Sequence, residues 1–143
     1  MIKKAKRKIE VLYVEDNPSD VRLVMEAKKE SKIEYEIKVV INGIEAMNYL
    51  RKKGKYNKVR SPDLILLDLN IPCKDGREVL SEIKSDSVLQ DIPVVIFTTS
   101  DSEKDIIKCY DLHANCYITK PFNLKEFTET IHHIENYWLS TVL

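Results

Sequence analysis

A chain of 143 residues with 23 basic and 23 acidic side chains has room for one ordinary domain with a full core, and no global field that would favour nucleic acid or an anionic membrane. The longest apolar stretch, around Val94 to Phe97, is far too short to cross a bilayer, and the N-terminus lacks the apolar segment of a secretion signal. Cys73, Cys109 and Cys116 are odd in number and show no metal-type pairing, so the expectation is a soluble, cytoplasmic protein with free thiols and no zinc.

Along the chain, Val11 to Val14 is a compact apolar run followed by Asn17-Pro18, a helix start in which proline's missing N–H costs nothing. Val21, Val24, Met25 and Lys28 continue at helical spacing. Ile37 to Ile41 is a β-branched run closed by the turn signal Asn42-Gly43, after which Ile44, Met47 and Leu50 mark a second helix. Ser61-Pro62 breaks the chain before Leu64 to Leu67, which lacks polar alternation and therefore reads as a strand buried on both faces.

The polar loop from Asn70 to Gly76 leads into the helical stripe Val79, Leu80 and Ile83. Ile92-Pro93 then opens a fourth strand, Val94 to Phe97, with a helix over Ile106, Ile107 and Tyr110 and a last short strand, Cys116 to Ile118. The closing helix carries Leu124, Phe127, Ile131, Ile134 and Trp138 at spacings of three and four. Five strand signals alternating with five helix signals predict right-handed βαβ crossovers and a doubly wound α/β sandwich built on a parallel sheet. In such folds the site lies at the carboxyl ends of the strands, beside the switch in strand order.

Four of the apolar runs end in residues suited to phosphoryl chemistry: Glu15-Asp16, Asp68, Thr98 and Lys120-Pro121. Three carboxylates brought close together disfavour one another's ionised form until a cation arrives, and Mg²⁺ suits a site with few oxygen ligands that completes its shell on a phosphoryl oxygen. Asp68 is then placed as a nucleophile toward phosphorus, with Lys120 neutralising charge and Thr98 donating a hydrogen bond.

The same residues carry a resemblance. Glu15-Asp16, Asp68-Leu-Asn70-Ile-Pro72 with Asp75-Gly76, Thr98-Thr-Ser100, and Tyr117-Ile-Thr-Lys120-Pro121-Phe122 resemble, in order and spacing, the receiver domain of two-component response regulators. The likeness spans about residues 9–137, leaving 1–8 as a basic tail and no room for an output domain. It implies the flavodoxin-like strand order 2-1-3-4-5, with Asp68 as phosphoacceptor and Thr98 and Lys120 binding the phosphoryl group. It implies a Mg²⁺ site from Glu15, Asp16, Asp68 and the backbone carbonyl of Asn70, and a cis Lys120–Pro121 peptide. Thr98 and Tyr117 would form the switch, while Asn70 and Ser100 would set phosphoryl lifetime. The donor would be a phosphohistidine on a histidine kinase. The segment from Tyr110 to Pro121, with His113 where many receivers have glycine, and the long loop around Gly54 to Arg60 look like the stand-alone regulators of bacterial phytochromes. That narrower likeness implies a phytochrome-type or hybrid sensor as partner and a homodimer through the last strand and C-terminal helix.

Two other readings are weaker. A Mg²⁺-dependent phosphohydrolase of the haloacid dehalogenase type would need a second Asp as proton donor where this chain has Asn70, so no turnover enzyme is expected. A pseudo-receiver, binding partners without phosphorylation, is disfavoured by intact Asp68, Asp16, Thr98 and Lys120. The glycines at 43, 54 and 76 cannot form a dinucleotide-binding turn, and adjacent His132 and His133 point about 100° apart on a helix and cannot share a site. Lys3 to Lys8 and Arg51 to Arg60 hold five and six basic residues and read as solvated tail and loop. Leu139, Val142 and Leu143 are candidates for a dimer contact.

Overall fold

Parallel pairing of five strands organises the computed structural model, which describes residues 8–142. Most of the basic tail, residues 1–7, and Leu143 lie outside the described residues. The strands are β1 (Ile9–Val14), β2 (Tyr35–Val40), β3 (Leu64–Leu67), β4 (Val94–Thr98) and β5 (Cys116–Thr119). Between and after them come α1 (Pro18–Lys29), α2 (Gly43–Leu50), α3 (Gly76–Ser85), α4 (Glu103–Asp111) and α5 (Leu124–Ile134). The order is β2-β1-β3-β4-β5, as expected, so the winding direction reverses between β1 and β3. Their adjacent ends form the crevice in which this architecture places its chemistry.

Side-chain alternation divides the core. Leu12, Val14, Ile65, Leu67 and Ile96 face α2 and α3, meeting Met47, Leu50, Val79, Leu80 and Ile83. Val11, Tyr13, Leu66, Val95 and Phe97 point to the other side, against Val24, Ala27, Phe127 and Ile131 of α1 and α5. The central strands are buried on both faces, which explains why β3 and β4 read as unbroken apolar runs. Each helix starts on a polar cap: Asn17, Asn42, Asp75, Ser102 and Asn123 all accept from a backbone N–H of the first turn. Such caps contribute about 1 kcal/mol apiece. Gly76 begins α3 directly over the Asp68 carbonyl and the Leu69 backbone, where a Cβ would collide with main chain.

The expected helix over Ile106, Ile107 and Tyr110 is α4, and it is only lightly covered: Cys109 is buried, while Ile107 and Tyr110 are about half exposed, because this helix lies by the half-covered edge strand β5. Two features depart from the sequence expectation. Leu139 is unavailable to a dimer contact, since it is buried within its own chain and Val142 packs beside the same cluster. A π-helical turn, Glu135–Leu139, widens the end of α5 and carries Leu139 inward, while Glu135, also buried, accepts from the Tyr35 hydroxyl on β2. The second is the Lys120–Pro121 peptide, which is trans, the form an X–Pro bond favours by about 0.5–1 kcal/mol. His132 holds α5 to α1 through its ring nitrogen at 3.0 Å from the Ala27 carbonyl, so its role is structural.

His113 has φ 69°, in the left-handed region, where the chain reverses after α4 and the Ala114 N–H closes on the Cys109 carbonyl at 2.9 Å. A Cβ there costs about 1 kcal/mol that glycine avoids. His113→Gly is therefore expected to raise the urea midpoint without changing the slope of the transition.

Candidate functional site

The sheet delivers each site residue by extending its hydrogen-bond ladder one step past a strand. Glu15 N donates to the Val40 carbonyl at 3.0 Å, Asp68 N to Val14 at 3.1 Å, and Lys120 N to Thr98 at 2.6 Å. Residues 105 positions apart in sequence thereby share one edge. Glu15, Asp68, Thr98 and Lys120 are all buried there, at 1, 6, 0 and 4% exposure.

Lys120 is the hub. Its Nζ donates to Asp68 Oδ2 at 2.8 Å, to Asp20 Oδ2 at 2.7 Å and to Glu15 Oε1, and it lies 5.7 Å from the Phe97 ring centre. Asp68 Oδ1 accepts from the Asn70 backbone N–H at 3.1 Å. Glu15 also receives the Tyr13 hydroxyl at 3.3 Å and the Asn17 amide at 3.2 Å.

Burial and pairing oppose each other at every member. Burial pulls the Lys120 ammonium down, but its bonds to Asp20, Asp68 and Glu15 outweigh that and hold it above the usual lysine range. Burial pushes Asp68 up, yet Lys120 and the Asn70 amide carry it below an ordinary aspartate, so it stays ionised. For Glu15 burial prevails: with the Asp68 charge beside it, its carboxyl is pushed up to about 7 despite the Lys120 contact.

The hydroxyl of Thr98 is buried beside Asp68, near enough to help hold that carboxyl down, yet it makes no well-aligned hydrogen bond, so an incoming oxygen would give it a better partner. Asp16 is exposed at the rim and is not one of the three carboxylates on Lys120. The third is Asp20, which the sequence reading did not single out. It sits in the first turn of α1, which starts at Pro18, and no spacing signal in the sequence sets it apart from an ordinary first-turn carboxylate. Tyr117 lies apart from Lys120, half-buried, its hydroxyl donating to the Ser100 carbonyl at 2.7 Å.

Among the described residues no three His, Cys, Asp or Glu side chains are grouped as a metal site. The donor set nevertheless suits a hard cation. Three carboxylates against one ammonium leave two formal negative charges in excess, the ligands are all oxygen, and exposed Asp16 adds a further carboxylate at the open side.

A doubly wound sheet with this carboxylate and lysine cluster at its switch point defines a class, and the chain belongs to the response regulator receiver domain family, whose model matches residues 11–132. More particularly, it is 50% identical over 132 residues to response regulator Rcp1 of Synechocystis, covering 92% of this chain and 90% of that protein. The crystal structure of the phosphorylated cyanobacterial phytochrome response regulator RcpA superposes with a TM-score of 0.91 at 52% identity, covering 94% of this chain and 96% of that one. The Mn²⁺-bound form of Rcp1 gives 0.90 at 49% identity, over 94% and 97%.

Removing the ammonium exposes the carboxylates to one another. Lys120→Met is expected to lower unfolding free energy by about 3–5 kcal/mol, read by chemical denaturation. Since folding raises the Glu15 pKa from 4.5 to about 7, the stability this group contributes is present in full below about 4.5 and is lost as pH rises through about 7. Without divalent cations, Glu15→Gln should flatten that decline across a pH series.

Proposed function

We propose that this chain is a phospho-accepting response regulator in which Asp68 takes a phosphoryl group from a phosphohistidine of a histidine kinase. The observation that carries the reading is an ionised, buried Asp68 whose one oxygen is held by Lys120 and the other by the Asn70 amide, in a receiver fold. An Asp68 oxygen attacks phosphorus; the new O–P bond forms as the P–N bond breaks, and the donor imidazole departs with the electron pair and takes up a proton. Asp68 loses its carboxylate charge in the acyl phosphate, so Lys120 transfers its interaction to the phosphoryl oxygens. The Thr98 hydroxyl, poorly satisfied beside Asp68, supplies a donor to the same oxygens.

Mg²⁺, held by Asp16, Asp68 and Glu15 with the Asn70 carbonyl, would supply positive charge against the transferring group. Crystallised relatives carrying Mn²⁺ and a phosphoryl group support that site and that modification. The description of RcpA as a phytochrome response regulator supports a phytochrome-type or hybrid histidine kinase as the donor, and the reading places the protein in the cytoplasm. No helix among the described residues is long and apolar enough to cross a membrane. Asn70, in the position where a phosphohydrolase would carry its proton donor, favours a switch over a turnover enzyme. Output leaves by contact, through the half-exposed strand β5 and the apolar side chains Ile107 and Tyr110, to a partner or second copy.

Intact mass after incubation with acetyl phosphate tests the reading. Wild type should gain one phosphoryl group only with Mg²⁺, and Asp68→Asn none. A wild type that binds Mg²⁺ yet gains nothing from either acetyl phosphate or a phosphorylated kinase would leave a pseudo-receiver.

A further inference from the structure

A second polar network lies outside the Lys120 cluster and is not used by the transfer step. Arg77, in the first turn of α3, meets Asp105 of α4 fork to fork: Nε donates to Oδ1 at 2.9 Å and Nη2 to Oδ2 at 2.8 Å. Its Nη1 donates to Asp75 Oδ2 at 3.0 Å, the residue that caps α3. Asp105 Oδ2 also accepts from Ser100 Oγ at 2.6 Å. The Ser100 carbonyl in turn receives the Tyr117 hydroxyl at 2.7 Å.

Ser100 is thus gripped by side chain and by main chain, from two different elements. That matters because the 99–102 connection is exposed at Thr99, Asp101 and Ser102 and is otherwise held by Ser102, which caps α4 and donates its N–H to Ser100 Oγ at 3.4 Å. The connection leaves β4 directly after Thr98, beside the strand end that carries Asp68. Bidentate guanidinium–carboxylate pairs are the more rigid and directional of ion pairs, so the pair can fix Ser100 although both partners reach the surface. Its hydrogen bonds with Arg77 and Ser100 hold the Asp105 carboxyl below its ordinary range.

We propose that Arg77 and Asp105 are positioning residues for the phosphoryl group on Asp68: they clamp Ser100, and through it fix the 99–102 connection and the Tyr117 hydroxyl, prolonging the acyl phosphate's lifetime by limiting water's approach. The proposal rests on the receiver reading above. Loosening the clamp lets the connection fluctuate beside Asp68 and removes the fixed acceptor for Tyr117.

The test uses the full chain, loaded with acetyl phosphate and Mg²⁺, with loss of the phosphoryl mass followed in time. Arg77→Met and the near-isosteric Asp105→Asn should each shorten the half-life about fivefold, the scale of one lost hydrogen bond of ordinary net strength felt indirectly at the reacting group. Ser100→Ala should do the same, and Arg77→Met added to Ser100→Ala should do little more, because both act through one contact. Amide exchange over 99–104 in the unphosphorylated protein should rise in all three single variants. Unchanged half-lives in Arg77→Met and Asp105→Asn, or fully additive effects of Arg77→Met and Ser100→Ala, would overturn the clamp while leaving the receiver reading intact. A wild type that accepts no phosphoryl group overturns the receiver reading and the lifetime claim together, and the exchange over 99–104 then reports on the clamp alone.

Discussion

One ammonium surrounded by carboxylates is the constraint on which the site is built. Lys120 engages Asp68, Asp20 and Glu15, each from a different element, so the cluster exists only when β1, α1, β3 and β5 are all in place. Burying these charges is costly, and apolar replacements of similar size would often be as stable. What the arrangement supplies is readiness. Asp68 is kept ionised, Glu15 is kept partly protonated near neutral pH, and the excess negative charge favours whatever cation or charge-relieving modification arrives.

The fold contributes by fixing backbone rather than by shaping a deep pocket. Site residues continue the ladder past the strand ends, and Gly76 lets α3 begin against the Asp68 carbonyl with nothing between. Displacement of the β3 end is therefore felt at the start of α3, where Arg77 reaches across to α4. The edge from Glu15 through Asp68 to Thr98 rests on the buried core. Beyond Thr98, Ser100 and the Tyr117 hydroxyl are held by polar contacts nearer the surface. A site of this kind can be stiff where chemistry occurs and adjustable where its result is read out.

Much of this was legible in the sequence because strand ends and helix stripes are local signals. Leu64 to Leu67 and Val94 to Phe97 announce buried strands, and parallel pairing then forces Glu15, Asp68, Thr98 and Lys120 to one edge. Asp20 escaped because an acidic residue in a first helical turn is ordinary, complementing the helix dipole, and only the angle of α1 over the sheet turns it to Lys120. Arg77 and Asp105 escaped for a similar reason, being 28 positions apart on helices whose separation no spacing rule gives. The helical stripe of α4 was real as a pattern, but periodicity states which residues share a face and not whether anything covers it. Leu139 was hidden by the π-helical turn, which breaks the periodicity that would have assigned it inward.

That turn ties the C-terminal end of the described chain to the second strand. Leu139 completes the apolar layer over β1 and β3, and Glu135 meets the Tyr35 hydroxyl across 100 positions of sequence. During synthesis, the layer begun by Val11, Val24 and Tyr35 stays open until residues near 139 have left the ribosome. A nascent chain carries that uncovered apolar surface through nearly the whole of its elongation, so premature release or stalling in the last helix yields a species prone to chaperone capture or aggregation.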